Sequence, residues 1–438
     1  MPIGWPSNSS ADTRPALIAA ISGRALAASA SRAGDRPCVL DLFADEDTAA
    51  FSLSCQALSS HGGSFDAEAL AAEVQALGGR VRGLVYGSGF ESMPGLLTRL
   101  AGILPVLGNP AEVVARVKDP FEFAAVLARL GLPHPEITCG PVPDGGWLRK
   151  AIGGAGGAHV VPANAPSSPL PLAGEGGARL REGEGIFPRL QRFWHRGGGA
   201  SPHPPSPAGW APPSPASGRG AVERGNVYFQ RRVPGRPVSV CFLGDGRRAA
   251  CIGFSEQWTD GTEAAPFRYG GCAGPAILPP DSARMLTDAC GALVAAFSLI
   301  GLNSLDLLVE GERFQVIEIN PRPGASLDIF DGLGGLQLWR LHLDAIEGRG
   351  LPAVIDLPGG VARAAAVIYA PCDLVIPDGM VWPGWAADRG RAGSVIGRGD
   401  PVSTVSAEAP SLAAARDRVE IRGMRLLELL AARHNSGI

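Results

Sequence analysis

The stretch from Leu302 to Gly324, LNSLDLLVEGERFQVIEINPRPG, restricts the fold of this chain more than any other. Two apolar runs flank a polar turn, which is the pattern of an antiparallel β-hairpin. Successive side chains of a strand point to opposite faces, so Glu318 and Asn320 share one face, about 7 Å apart. We therefore expect a sheet with one apolar face and a set of oxygen-bearing side chains on the other.

The turn of this hairpin decides which residues face each other across it. A three-residue loop at residues 311–313 would pair Glu310 with Phe314. The same register places Asp306 opposite Glu318. The sequence therefore predicts two carboxylates on neighbouring strands of one sheet.

Asp306, Glu318 and Asn320 then form a cluster of hard oxygen ligands. Mg²⁺ takes such ligands, usually with water and nucleotide phosphates. Arg322 follows two residues later, and a guanidinium can bind phosphate oxygens with two nitrogens at once. The alternative is a solvated outer face of the sheet, although the apolar neighbours Ile317 and Ile319 cover only the opposite face.

Lysine is almost absent from the chain, and its two occurrences need a reason. Of 39 lysine and arginine residues, only Lys118 and Lys150 are lysines. Lys150 precedes the stretch GGAGG, whose glycines would let backbone N–H groups approach phosphates closely. An ammonium is a compact point charge that a planar guanidinium replaces poorly. We therefore expect both lysines to have a role that arginine cannot take.

The beginning of the chain has the order of a parallel α/β domain. An apolar run at residues 16–22, a helical pattern to residue 34 and a second apolar run at residues 37–43 predict a βαβ unit. A helix at residues 66–77 and a strand at residues 81–86 continue the pattern to about residue 110. The loop that follows this strand, Tyr86 to Glu91, is either a ligand-binding loop or a plain tight turn.

Composition excludes several classes of protein. The net charge of -3 gives no electrostatic case for nucleic acid or an anionic membrane. No apolar run approaches the roughly 20 residues of a bilayer span. The 8 cysteines form no CxxC pair, which argues against a disulfide framework or a zinc site and favours a cytoplasmic protein.

Residues 166–220 do not fit a compact domain. They are rich in proline, glycine and serine and poor in aliphatic residues, so they cannot bury enough apolar surface to offset their ordering entropy. We interpret the segment as a disordered insertion. The alternative is a binding loop marked by Trp194 and Trp210.

VIEINPRPG, preceded by an aspartate on a neighbouring strand, resembles the metal site of the ATP-grasp ligases. Lys150 with GGAGG resembles their phosphate-covering loop, and Lys118 resembles the earlier lysine of the same fold. The resemblance covers about residues 16–405 and implies an α/β protein of the ATP-grasp type. Its three expected domains are an N-terminal parallel α/β domain (1–110), a two-part ATP-grasp domain (111–350) and a small β-rich domain similar to that of biotin carboxylase (351–438).

The resemblance also assigns site residues. Those expected at the nucleotide are Lys118, Lys150, Gly153, Gly154, Gly156, Gly157, Gln230, Arg231 and Val233. Those expected at Mg²⁺, with two ions that Mn²⁺ can replace, are Asp306, Glu318 and Asn320. The expected catalytic residues are Lys150, Arg322 and Arg268. Arg231 stands where many relatives carry a glutamate, so the contact to the ribose departs from the family pattern.

The chemistry implied by the resemblance is transfer of the ATP γ-phosphoryl group to a carboxylate, followed by attack of an amine to give an amide. Arg268 would clamp the carboxylate, with an ordinary surface arginine as the alternative. The loop GSGFE, the KDP helix start and FRYGG resemble ATP-grasp proteins of methylotroph one-carbon gene clusters. These are similar to the archaeal tyramine–glutamate ligase of methanofuran synthesis, which implies glutamate and tyramine as substrates and allows a homodimer.

Two other functions remain open at this point. The third domain suggests a carboxylase-like reaction through carboxyphosphate. An ATP-binding pseudoenzyme, disabled by the insertion or by the altered hinge, is the second alternative, and the complete Asp306, Glu318 and Asn320 set argues against it.

Overall fold

The computed structural model describes residues 12–61, 64–143, 145–165 and 226–434. The helices are α1 (Arg24–Arg32), α2 (Glu46–Phe51), α3 (Ala67–Leu77), α4 (Pro94–Ala101), α5 (Ala111–Lys118), α6 (Pro120–Arg129), α7 (Pro280–Phe297), α8 (Leu327–Phe330), α9 (Leu338–Ile346) and α10 (Leu412–His434). The strands to residue 162 are β1 (Leu17–Ala19), β2 (Cys38–Asp41), β3 (Ser54–Ala57), β4 (Ser60–His61), β5 (Ser64–Phe65), β6 (Leu84–Tyr86), β7 (Ile137–Thr138), β8 (Trp147–Ala151) and β9 (Val160–Pro162). The later strands are β10 (Val227–Arg231), β11 (Arg236–Asp245), β12 (Ala249–Thr259), β13 (Tyr269–Gly274), β14 (Ile300–Glu310), β15 (Arg313–Asn320), β16 (Ala362–Tyr369), β17 (Leu374–Val375), β18 (Ala386–Ala387), β19 (Val395–Ile396) and β20 (Pro401–Ala409).

The N-terminal part of the chain is a parallel sheet in the order β3-β2-β1-β6. Leu17 lies opposite Cys38 on one side and opposite Leu84 on the other. β1, β2 and β6 are buried on both faces, as parallel strands covered by helices usually are, whereas the edge strand β3 is largely exposed. The predicted βαβ opening is confirmed. The loop after β6 leaves the carboxyl end of its strand.

The break between α5 and α6 places Lys118. The carboxylate of Asp119 accepts hydrogen bonds from the backbone N–H groups of Phe121 and Glu122, and Pro120 occupies the first turn of α6. This is a capped helix start, and the predicted beginning of a helix at Asp119-Pro120 is confirmed. Lys118 is therefore held as the last residue of α5, next to a fixed change of chain direction.

Two antiparallel sheets form the rest of the molecule's framework. The smaller has the order β7-β10-β8-β9, and the larger has the order β15-β14-β11-β12-β13-β16-β20-β18. The pairing of β13 with β16 carries the large sheet across residue 350, so the β-rich C-terminal part extends the same sheet. The division into three domains stays a prediction. β11 and β12 form an antiparallel hairpin, with Gly244 opposite Ala249 at its end.

One apolar core fixes α5 to the strands that carry the candidate metal ligands. Val117 of α5 and Phe297 of α7 belong to the same buried cluster as Leu305 and Ile319 of the β14–β15 hairpin. Because these side chains are at most 3% exposed, α5 lies in a fixed position beside the hairpin. Lys118 is thereby brought next to the end of β15.

Two expectations from the sequence concern the predicted insertion and the absence of a membrane-spanning helix. The predicted insertion, residues 166–220, lies outside the described residues. Among the residues that are described, the helices are too short or too polar to cross a bilayer.

Candidate functional site

The β14–β15 hairpin brings the predicted carboxylates together. Asp306 lies opposite Glu318 in the observed register, so this predicted pairing is confirmed. The amide of Asn320 donates from Nδ2 to Oδ2 of Asp306 over 2.9 Å. The three side chains therefore form one continuous polar group at the end of the hairpin.

The predicted turn of this hairpin is wrong by one residue. Glu310 pairs with Arg313 rather than with Phe314, which leaves a two-residue turn that begins at Gly311. Gly311 has a φ of +62°, a conformation that favours glycine. A bulge between Asp306 and its neighbour restores the offset, because it inserts one extra residue on one strand. The one-residue shift caused by the shorter turn is offset by the extra residue of the bulge, so Asp306 still lies opposite Glu318.

Lys118 reaches this polar group from α5. Its ammonium lies 3.0 Å from Oδ1 of Asn320 and 3.4 Å from Oε2 of Glu318. The Lys118 side chain is 7% exposed, and that of Glu318 is 28% exposed. This half-buried arrangement differs from the solvated outer face that was the alternative interpretation.

The surroundings shift the pKa values of the two carboxyl groups in opposite directions. Burial and the negative charge of Glu318 raise the pKa of Asp306. Burial also acts to raise the pKa of Glu318, but Lys118 and Lys150 outweigh it and hold that pKa low. Two carboxylates that repel each other in a partly desolvated site are an arrangement that a divalent cation would stabilise.

The donor set fits Mg²⁺ that is held partly by substrate phosphates. The described residues contain no group of three or more His, Cys, Asp or Glu side chains that could hold a metal ion. Asp306 and Glu318 supply two carboxylates, and Asn320 adds an amide oxygen. Mg²⁺ is usually bound by one or two carboxylates, with water and phosphate oxygens completing the octahedron.

Lys150 faces the same cleft from the small sheet. It is 5% exposed, and its ammonium lies 3.2 Å from Oε1 of Gln230 and 5.8 Å from the centre of the Tyr228 ring. Lys150 pairs directly with Tyr228 across β8 and β10, which places the two side chains on one face. Burial acts to lower the pKa of Lys150, but Tyr228 and Glu318 outweigh it and raise that pKa.

The glycine-rich loop after β8 is held against other parts of the chain. Gly153, Gly156 and Gly157 have φ values of +73°, +71° and +74°. A Cβ on Gly157 would lie 2.0 Å from the carbonyl oxygen of Phe267. The amide of Tyr269 donates to the carbonyl oxygen of Gly156 over 2.9 Å. The close contact with Phe267 therefore requires glycine at position 157, and positive φ favours glycine at all three positions. The phosphate-binding role stays a prediction.

A buried imidazole lies under this loop. His159 is 3% exposed, and a Cβ on Gly154 would lie 2.4 Å from its ring. Burial and the charge of Lys150 lower the pKa of His159 to about 4, so the ring is neutral near pH 7. Sequence reasoning missed this residue, because a single histidine beyond a glycine-rich loop has no distinguishing pattern.

The predicted hinge has one side chain directed into the cleft and one directed away from it. Gln230 is 6% exposed and accepts from Lys150. Arg231 is exposed, and its guanidinium carbon lies 5.6 Å from the centre of the Trp147 ring. Val233 is half-buried and lies just beyond β10. The structure does not direct Arg231 toward Lys150, so the ribose contact expected at this position stays a prediction.

Arg268 is held by contacts outside the carboxylate group. Its guanidinium pairs with Asp260 at 3.1 Å, donates to the carbonyl oxygen of Gly399 and lies 3.5 Å from the centre of the Tyr369 ring. The side chain is 13% exposed, so the alternative of a surface arginine is wrong. These contacts tie the Phe267–Tyr269 segment to the C-terminal strands, and the carboxylate clamp stays a prediction.

An open cleft between the small and the large sheet is lined by Lys118, Glu318, Tyr228 and Gln230, and the last two of these contact Lys150. The other lining groups are apolar side chains and the glycine-rich loop, among them Val117, Phe123, Ile137, Gly153, Gly154 and Ile317. Charged and apolar side chains that line the same cleft suit a ligand with a phosphate tail and a flat apolar ring.

A sequence model of the ATP-grasp domain family matches residues 218–326. The chain has the ATP-grasp fold. Its ATP-grasp match contains Asp306, Glu318, Asn320 and Arg322, whereas the two lysines precede it.

Solved structures resemble the chain over nearly its full length. The biotin carboxylase domain dimer of Hydrogenobacter thermophilus 2-oxoglutarate carboxylase, in complex with MgADP, ADP and bicarbonate, has 12% identity and a TM-score of 0.62, over 93% of this chain and 89% of that one. The L-amino acid ligase from Bacillus licheniformis has 13% identity and a TM-score of 0.61, over 93% and 97%. A biotin carboxylase complex with β,γ-ATP from Campylobacter jejuni has 14% identity and a TM-score of 0.61, over 92% and 89%. At these identities the likeness establishes the ATP-grasp fold alone.

Proposed function

We propose that the protein is an ATP-dependent ligase that joins a carboxylate and an amine through an acyl phosphate. The observation that carries the proposal is a cleft lined by Lys118 and Glu318, with Lys150 against the lining residue Gln230. Asp306 lies opposite Glu318 on the neighbouring strand. The ATP-grasp fold supports a nucleotide in this cleft, and a similar solved structure is titled an L-amino acid ligase.

The proposed reaction has two balanced steps. A carboxylate oxygen of the first substrate attacks the γ-phosphorus of ATP, and the bond to the β–γ bridging oxygen breaks to release ADP. The amine nitrogen of the second substrate then attacks the acyl carbon, and phosphate leaves with the bonding electrons while the amine loses a proton. The protein's contribution to such phosphoryl transfer is mainly positioning and neutralisation of charge.

The residues of the cleft divide this work. Lys118, Lys150 and Arg322 carry the positive charge that would stabilise negative charge on the transferring group. Asp306, Glu318 and Asn320 would hold Mg²⁺, which when bound neutralises phosphate charge. Gly153, Gly154, Gly156 and Gly157 would cover the phosphates. Gln230, which lines the cleft, and Val233 would contact the nucleotide base.

The substrates belong to the finer part of the proposal. We propose glutamate as the acid and tyramine as the amine, in synthesis of a methanofuran-type cofactor, on the similarity of GSGFE, KDP and FRYGG to proteins of that group. A cytoplasmic homodimer is part of the same proposal, since a similar biotin carboxylase domain is described as a dimer.

A carboxylase-like reaction through carboxyphosphate is the second candidate. It is favoured by the similarity to biotin carboxylase domains, one of them in complex with bicarbonate. In that reaction bicarbonate would replace the carboxylate substrate in the first step.

An ADP-release screen tests the proposal. Glutamate is combined with ATP and a panel of amines that includes tyramine, and products are identified by mass spectrometry. ADP and γ-glutamyltyramine appearing in equal amounts is the expected result. An amide from another acid and amine would remove this substrate pair and retain the ligase class. ADP release that needs bicarbonate and no amine would favour the carboxylase-like reaction instead.

A further inference from the structure

The loop after β6 has a buried acid at its end. The carboxylate of Glu91 accepts from the backbone N–H of Gly89 over 2.8 Å, and its side chain is 2% exposed. Gly89 has a φ of +111°, which a residue with a side chain rarely adopts. A turn whose conformation favours glycine therefore holds one buried carboxylate at the end of the loop.

That carboxylate pairs with an arginine of the candidate site. Nε of Arg322 lies 2.6 Å from Oε1 of Glu91, and the Arg322 side chain is 11% exposed. Nη1 of Arg322 donates to the carbonyl oxygen of Pro323 over 3.2 Å. Two of the three guanidinium nitrogens are thus hydrogen-bonded within the described part of the chain, where Nη2 has no hydrogen-bond acceptor.

Electrostatics keeps the acid ionised in spite of its burial. Burial acts to raise the pKa of Glu91, but the charges of Arg322 and Lys118 outweigh it and lower that pKa. A buried ion pair is costly to build in place of apolar packing, and its presence beside a ligand cleft favours a positioning role.

The backbone of the same loop also touches the glycine-rich loop. A Cβ on Gly153 would lie 2.7 Å from the carbonyl oxygen of Glu91 and 2.7 Å from Cα of Ser92. Glu91 therefore contacts the predicted phosphate-covering loop through its backbone and Arg322 through its side chain.

We infer that Glu91 is a positioning residue, which fixes the guanidinium of Arg322 so that Nη2 meets the γ-phosphoryl group of the bound nucleotide. The inference rests on the proposed function in so far as it takes ATP as the ligand of the cleft. It assigns the N-terminal parallel sheet a part in phosphoryl recognition, through a residue that does not itself touch the nucleotide.

The chain offers a matched control. Arg24 of the N-terminal part and Asp328 of α8 form another ion pair between the same two regions, with side chains 8% and 19% exposed. Asp328 does not line the cleft between Lys118 and Lys150. Asp328→Asn therefore weakens an inter-region ion pair without touching Arg322.

The test compares two nucleotides that differ at the γ-phosphoryl position. Dissociation constants of MgAMPPNP and MgADP are measured by titration calorimetry on wild-type protein, Glu91→Ala, Arg322→Ala, the double variant and Asp328→Asn. Should Glu91→Ala fail to fold, Glu91→Gln carries the same comparison. Neither measurement needs the acid or the amine.

We expect the preference for MgAMPPNP over MgADP to fall about tenfold in Glu91→Ala, because a charge-assisted contact to the γ-phosphoryl group is lost. It should change less than about twofold in Asp328→Asn, and the double variant should match Arg322→Ala, since Glu91 acts through Arg322.

An unchanged preference in Glu91→Ala, or an equal loss in Asp328→Asn, would overturn the inference. Absence of ADP release with every acid and amine would contradict the proposed function. The preference for MgAMPPNP over MgADP could still be measured, because it depends only on nucleotide binding. Wild-type protein that binds neither nucleotide would contradict both.

Discussion

The tightest contact of the glycine-rich loop gives a quantitative prediction. Gly156 and Gly157 have nearly equal positive φ values, +71° and +74°. A Cβ on Gly156 would meet nothing within 4 Å, whereas a Cβ on Gly157 would lie 2.0 Å from the carbonyl oxygen of Phe267. Gly156→Ala and Gly157→Ala thus share the backbone strain and differ in the clash.

The two costs can be separated. A left-handed conformation costs an alanine about 1–2 kcal/mol relative to glycine. Gly157→Ala must also move the loop away from Phe267, which breaks the bond from the Tyr269 amide to the Gly156 carbonyl and costs about 1 kcal/mol more, before any lost packing. Since 1.4 kcal/mol is a factor of about ten, we expect MgAMPPNP to bind at least about fivefold more weakly to Gly157→Ala than to Gly156→Ala.

Titration calorimetry with MgAMPPNP measures this difference, and thermal unfolding shows whether both variants remain folded. Equal affinities of the two variants would refute the reasoning, because the contact with Phe267 would then have no part in holding the loop over the nucleotide. Equal melting temperatures with unequal affinities would be the clearest support.

Three further predictions follow from the same structure. Lys150→Arg should lower kcat/KM for ATP at least about tenfold in an ADP-release assay, because the buried site suits a compact ammonium. The control Arg248→Lys, at an exposed position, should leave kcat/KM unchanged. Full activity of Lys150→Arg would show that the lysine is dispensable. Burial lowers the pKa of His342 from 6.5 to about 4, so up to about 3 kcal/mol of folding stability should be lost as pH falls from 6.5 toward 4. The free energy of unfolding of His342→Gln, measured with urea, should depend less on pH in that range. An unchanged pH dependence would contradict this prediction. Deleting residues 166–220 and joining Ala165 to residue 221 should leave the melting temperature and ATP turnover nearly unchanged. The reason is that the flanking strands β9 and β10 both pair with β8. Loss of ATP binding would instead indicate that the deleted segment is a lid.

Local patterns in the sequence were sufficient for most elements and for the proximity of Asp306, Glu318 and Asn320. Strand alternation alone places Glu318 and Asn320 on one face. The dipeptide Asp119-Pro120 predicts the start of a helix capped by the aspartate. The turn at Gly311 was mispredicted, because a two-residue turn with a bulge has nearly the same sequence pattern as a three-residue loop.

Contacts between distant segments could not be predicted in this way. Glu91 and Arg322 are 231 positions apart, and nothing in either local pattern indicates the other. Arg268 is similar, because its partner Gly399 offers only a backbone carbonyl oxygen. Such pairs depend on how the sheets and loops pack, which periodicity does not encode.

The central claim is that Glu318 belongs to a site that turns over ATP. Glu318→Gln keeps the size of the side chain and removes its charge, and Glu310→Gln makes the same change at an exposed position of the same hairpin. ADP release is measured for both variants and for wild-type protein, with ATP, Mg²⁺ and the acid–amine panel. We expect acid- and amine-dependent ADP release from wild-type protein and Glu310→Gln and almost none from folded Glu318→Gln. Wild-type rates of ADP release from Glu318→Gln would contradict it.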